Sequence, residues 1–114
     1  MNNKIENIDY GENIIKWNKI SSHTAPLPGQ LVRSIAGRDK GAYYLIYKIE
    51  GEYLLLVDGV KRGAISPKRK NCRHVQRSNK VAADFVAKLE SGTPIRNEDI
   101  RSIMNGIPEG LGLE

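Results

Sequence analysis

The chain has little from which to build bond-breaking chemistry. It holds one cysteine, one tryptophan, one phenylalanine and two histidines in 114 residues. The lone thiol, Cys72, can form no internal disulfide, which fits a reducing compartment. His23 and His74, with no second cysteine, fall short of the about four ligands that a closed zinc site needs, so no metal and no cofactor is expected. Neither a P-loop nor a dinucleotide fingerprint is present. The carboxylates form no acid–base pair: Glu50 and Glu52 bracket a turn, and Glu98 and Asp99 sit at a helix start. With no nucleophile set either, the chain does not read as an enzyme. Long apolar runs are missing too. Tyr43–Tyr47 and Tyr53–Val57 are far shorter than the roughly 18 residues that cross a bilayer. Met1–Asp9 carries acids and no apolar segment of the secretory kind. A cytoplasmic protein with no membrane contact is the expectation.

What the chain does have is positive charge in one place. The net charge is +5. Lys61, Arg62, Lys68, Arg69, Lys70, Arg73, Arg77 and Lys80 fall between Asp58 and Asp84 with no acid among them, and His74 lies in the same run. Ordinary soluble surfaces intersperse acids with bases. A run without them tolerates its own repulsion best when a polyanion neutralises it. Lys68, Arg69 and Lys70 follow Pro67, where a strand should end, so their charged heads are expected in water.

A second cluster is the turn Gly37, Arg38, Asp39, Lys40, Gly41. Its glycines supply positive φ and Asp39 can bond to nearby backbone, as in any hairpin turn. A glycine also leaves the main chain open to a ribose-phosphate, here with Arg38 and Lys40 on either side. Tyr43, Tyr44, Tyr47 and Tyr53 offer faces on which bases can stack, although aromatics in a small barrel are more often core. Alternation puts Tyr43 and Tyr47 on one face and Tyr44 on the other, with one of Tyr43 and Tyr44 exposed.

Along the chain, residues 1–25 read as a flexible N-terminal extension or as a partner-docking arm anchored by Trp17 and Ile20. The Ala25–Gly29 segment, rich in proline and glycine, marks the domain start. Strands are predicted over Gln30–Ile35, Ala42–Ile49, Tyr53–Val57, Arg62–Ser66 and Cys72–Gln76. Short strands with glycine turns suggest a small barrel over 26–77. From Ser78, read as a helix N-cap, the period becomes helical: Val81, Phe85, Val86 and Leu89, then Gly92 as the stop. A second short helix is capped by Asn97 and carries Ile100, Ile103 and Met104. The helical region is 78–107, packing on the barrel, and 108–114 is a frayed tail.

The strand–turn–strand Leu31–Ile49 resembles the KOW motif. The segment Leu27–Gln76, with its Asp58-Gly59 turn and Lys68–Lys70 run, resembles the small bacterial KOW-domain RNA-binding proteins related to a eukaryotic-type large-subunit ribosomal protein. Ser78–Ile107 is similar to their helical tail. The likeness covers about two thirds of the chain, and residues 1–25 have no counterpart in it. It implies a mainly β fold, an SH3-like barrel followed by two short helices. It further implies a non-catalytic RNA-binding protein associated with the ribosome or with translation, docking on structured RNA by a basic barrel edge. Gly41 carries the motif's glycine. Arg33, Arg38 and Lys40 become candidate RNA contacts, and the basic run adds Lys61, Arg62, Lys68, Arg69, Lys70, Arg73 and Arg77. The alternative is a protein-interaction module of a transcription or translation complex that binds an acidic partner, with the N-terminal extension as a second place for a protein to dock.

Overall fold

The computed structural model describes residues 16–21 and 24–113. They form a mainly β structure: one six-stranded antiparallel sheet followed by two helices. The strands are β1 (Trp17–Lys19), β2 (Gln30–Ser34), β3 (Tyr43–Glu50), β4 (Tyr53–Val57), β5 (Lys68–Asn71) and β6 (Val75–Ala82), in the spatial order β1-β6-β2-β3-β4-β5. β2 to β5 are a meander. A short 3-10 turn, Cys72–His74, then carries the chain across to β6, which returns beside β2. Register shifts between Gln30 and Val32 and between Ile46 and Lys48 mark bulges, which bend a sheet. The sheet curls strongly. β5 and β2 are separated by two strands in the sheet order, yet the Lys70 ammonium donates a hydrogen bond to the carbonyl of Ala36, just past β2.

Both faces of the sheet are covered. Successive strand residues point to opposite sides, so β3 and β4 read as nearly continuous apolar runs rather than alternating ones. Val32, Tyr44, Ile46, Leu54, Leu56 and Val75 meet on the inner face of the curl. Leu31, Leu45 and Val57 point the other way and meet Phe85, Ile100 and Ile103 from the helices. α1 (Ala83–Ser91) ends at Gly92, which has φ 74°. α2 (Asn97–Met104) begins where Asp99 reaches back to accept the Arg96 backbone N–H at 3.0 Å.

Several sequence expectations need correction. Arg62–Ser66 is a loop, not a strand. One Asp58 carboxylate oxygen accepts the backbone N–H groups of Val60, Lys61 and Arg62 at 2.9, 3.0 and 2.9 Å, folding that segment back on itself. The strand lies instead at Lys68–Asn71, so Pro67, which has no N–H to give, precedes pairing rather than ending it. Cys72–His74 is a 3-10 turn whose start is capped by Asn71, and Val75 opens the last strand. The helical region begins at Ala83, not Ser78. Ser78–Ala82 belongs to β6: Lys80–Ala82 pairs with β1 on one side, and Val81 pairs with Gln30 on the other. The helix-like spacing of Val81 and Phe85 straddles a strand–helix junction. Asn97 is the first residue of α2 rather than its cap.

The boundary at residue 25 also fails. Trp17–Lys19 pairs with Lys80–Ala82 as an edge strand. The Trp17 indole packs on the helix-side core and donates to the Gly106 carbonyl at 2.9 Å. Residues 1–15 and 22–23 of the proposed extension lie outside the described residues.

Candidate nucleic-acid interface

The turn between β2 and β3 is a closed backbone unit. Gly41 N–H donates to the Ser34 carbonyl and Ser34 N–H to the Ala42 carbonyl, each at 2.8 Å. Gly37 and Gly41 have φ 88° and 94°, the left-handed geometry their sequence positions suggested. A Cβ built on Gly41 would meet no atom within 4 Å, so the main chain there faces open space. Arg38 and Lys40 are exposed beside it and form no ion pair with a described residue.

Asp39, between them, points inward. Its carboxylate accepts the Ser34 hydroxyl at 2.7 Å, the Tyr44 hydroxyl at 2.7 Å and the Lys70 ammonium at 2.9 Å, and Lys68 stands 3.7 Å away. Lys70 also donates to the Ala36 carbonyl at 2.9 Å. Burial raises the Asp39 pKa. The hydrogen bonds from Tyr44, Lys70 and Ser34 and the charge on Lys70 outweigh it and hold the carboxyl well below the usual range. Burial, then the Asp39 hydrogen bond and charge, push the Tyr44 phenol above its ordinary value. The turn is thus nailed to the inner face of the curl by a charged hydrogen-bond cluster.

This cluster divides the predicted contact residues. Lys70 is only 9% exposed, so it is a structural cation with its head not in water. The reason is alternation. Lys70 and Lys68 pair with Leu54 and Leu56, which face inward, whereas Arg69 pairs with Leu55. Arg69 is exposed, and its guanidinium lies 3.6 Å from the centre of the Tyr53 ring. Arg77 is half-buried and donates to the Thr24 carbonyl at 2.6 Å. Arg33 is half-buried and donates to Gln76 across the β2–β6 pair. Arg73 is exposed on the 3-10 turn, near Asn71.

Sheet register puts the remaining cations at one end. β2 ends and β3 begins there (Arg33 opposite Tyr43), β4 ends there (Val57 opposite Leu45), and β5 begins there (Lys68 opposite Leu56). The Gly37–Gly41 turn and the Asp58–Pro67 loop, which carries Lys61 and Arg62, therefore leave from the same end. Arg38, Lys40, Lys61, Arg62 and Lys68 share that end, and Arg69 lies on the opposite side of β5 from Lys68.

Neither Tyr43 nor Tyr44 offers a bare ring. Tyr44 is in the inner core, Tyr43 and Tyr47 are packed against the helix-side core, and the Tyr53 ring is covered by Arg69. What the sequence reading missed is the Ser34–Asp39–Tyr44–Lys70 cluster. Nothing local signals it, because Lys68, Arg69 and Lys70 carry the same charge and read as a uniform basic run.

Among the described residues, no group of His, Cys, Asp or Glu side chains is arranged to hold a metal, and no helix is long and apolar enough to cross a membrane. No family model matches the chain, and no curated protein matches it.

Proposed function

We propose that this chain is a non-catalytic RNA-binding protein, ribosome- or translation-associated, that docks on structured RNA by the basic end of a small SH3-like barrel of the KOW type. The strand order supports the barrel reading: a four-strand meander, a 3-10 turn, and a last strand returning beside the first is the order of SH3-like barrels. The observation that carries the function is the turn itself. Its backbone is open at Gly41, its two outward cations form no ion pair among the described residues, and its acid is turned away and neutralised internally. A turn whose only carboxylate is consumed inside presents net positive charge to a phosphate. A-form RNA hides its base edges from side chains, so phosphate, shape and 2′-hydroxyl contacts would do the recognising.

Filter binding of the full chain to folded ribosomal RNA fragments, across a salt series, tests this. Each phosphate contact adds roughly 0.7–0.9 to the slope of log affinity against log salt. Arg38→Glu/Lys40→Glu should weaken binding and lower the magnitude of the slope by about 1.4–1.8, with an unchanged circular dichroism spectrum. An affinity that is flat in salt, or untouched by this pair, refutes the proposal.

A further inference from the structure

The Asp58–Pro67 loop holds two aliphatic side chains out in solvent. Ile65 is 101% exposed and Val60 71%. The loop is not slack. Besides the three N–H groups that Asp58 gathers, the N–H groups of Asp58 and Gly59 donate to the Arg62 carbonyl, and Ser66 N–H donates to the Gly63 carbonyl. α2 braces it from the side: Arg101 donates to the Gly59 carbonyl at 2.8 Å. Gly59 sits so close that a Cβ there would lie 2.8 Å from the Arg101 backbone nitrogen. Single exposed aliphatic side chains are ordinary; two held bare on one braced loop, beside a depression with a third apolar wall, are the raw material of a contact surface.

Beside these two side chains is a depression of about 470 Å³ between the loop and the start of α2. Val60, Ile65 and Ile95 give it apolar walls, and Lys61 and Arg96 line it too; Arg96 shares its charge with Asp99 at 3.7 Å. The three aliphatic walls do not serve the RNA contact, although Lys61 borders both surfaces. Aliphatic side chains neither stack flat on bases nor bond to phosphate. A membrane is the poorer fit, because the feature is concave and carries no Trp or Tyr at its rim. A second copy of the chain fits badly as well, since an isologous contact would set Lys61 and Arg62 against their own equivalents.

We infer that this groove is a protein-docking site, and that its occupant is an acidic segment of a partner protein inserting a large apolar side chain between Val60, Ile65 and Ile95, with carboxylates meeting Lys61. The inference stands on the loop alone and not on the RNA reading.

The test places a photo-reactive benzoylphenylalanine at the exposed Ser66 in the full chain, irradiates native cells, and sequences the crosslinked species. The expected result is an adduct to a protein whose crosslinked peptide carries Asp or Glu beside a large apolar residue. Val60→Ser/Ile65→Ser in the same chain should cut that adduct at least tenfold. An adduct to RNA, to lipid, to another copy of the chain or to a peptide without acids overturns the inference. So does no adduct, or one indifferent to the double substitution. In parallel, Val60→Ser/Ile65→Ser should leave RNA affinity within twofold of the parent; a larger loss would make the tip part of the RNA surface and overturn the inference. A parent chain that binds no RNA would sink the RNA reading alone.

Discussion

Replacing Asp39 by asparagine removes one charge and almost no volume, which makes it a clean test of the cluster that holds the basic turn. In the folded chain Lys70 is nearly buried and Asp39 is the only carboxylate bonded to it among the described residues. Removing one partner of a buried pair typically costs about 3–5 kcal/mol, because the other charge is left without compensation. Asparagine keeps an acceptor for Ser34 or Lys70, so the expected cost lies at the lower end, about 3 kcal/mol. Asp39→Ala, which also abandons the Ser34 and Tyr44 hydroxyls, should reach the upper end. Against a total stability of about 5–15 kcal/mol, either loss is large, and the midpoint of thermal unfolding should fall by roughly 10 °C or more. Urea melts followed by circular dichroism would give the free energies. Lys70→Met added to Asp39→Asn removes the orphaned ammonium and should restore at least about 1 kcal/mol.

The same cluster fixes an acid limb. The folded chain keeps Asp39 ionised to a lower pH than the unfolded chain does, so the unfolded state binds the extra proton. The stability Asp39 contributes is therefore complete above its ordinary pKa of about 3.9 and drains away as the pH falls below it. Asp39→Asn should flatten that part of the acid limb. Tyr44 acts in the opposite sense: its raised pKa makes its contribution complete below about pH 10 and lost above it. If Asp39→Asn melts within about 0.5 kcal/mol of the parent and keeps the same acid slope, the ion pair is not what holds the turn.

How much of this was legible in the sequence depends on how local each signal was. The Gly37–Gly41 turn, β2 to β4 and the stop of the first helix at Gly92 rest on turn chemistry and short-range periodicity, and all of them stand. β5 was hidden because a strand that faces an internal carboxylate needs lysine where a leucine would ordinarily sit. Read locally, Lys68 to Lys70 is a solvated run. The acid that explains it lies 31 residues away from Lys70 and reaches it only because the sheet curls. The Asp58 loop displaced an expected strand for a related reason: one side-chain oxygen captured three donors that a ladder would have used. β6 was cut short in the reading because its last residues run straight into α1, so one apolar series serves two periods.

Three further perturbations test the frame around the candidate site. Gly41→Val meets no steric obstacle, yet it forces a β-branched residue to φ 94°, which should cost about 1–3 kcal/mol and weaken RNA binding by covering the open backbone. Parental stability and affinity together would deny the turn the role given to it. Trp17→Ala addresses the first described strand. The indole is wedged against the core shared by the sheet and both helices and is tied to the Gly106 carbonyl, where α2 ends. Truncating such a residue commonly costs about 3–5 kcal/mol; being only half-buried, Trp17 should give about 2–3. The loss should appear in denaturant melts, and the RNA salt slope should not change, because no phosphate-facing cation is touched. A chain beginning at Pro26 removes all of β1 and leaves the Lys80–Ala82 edge of β6 unpaired, so it should be less stable than Trp17→Ala and more prone to associate through that edge. If the shortened chain instead melts like the full one, β1 is an appendage and the domain does begin after residue 25.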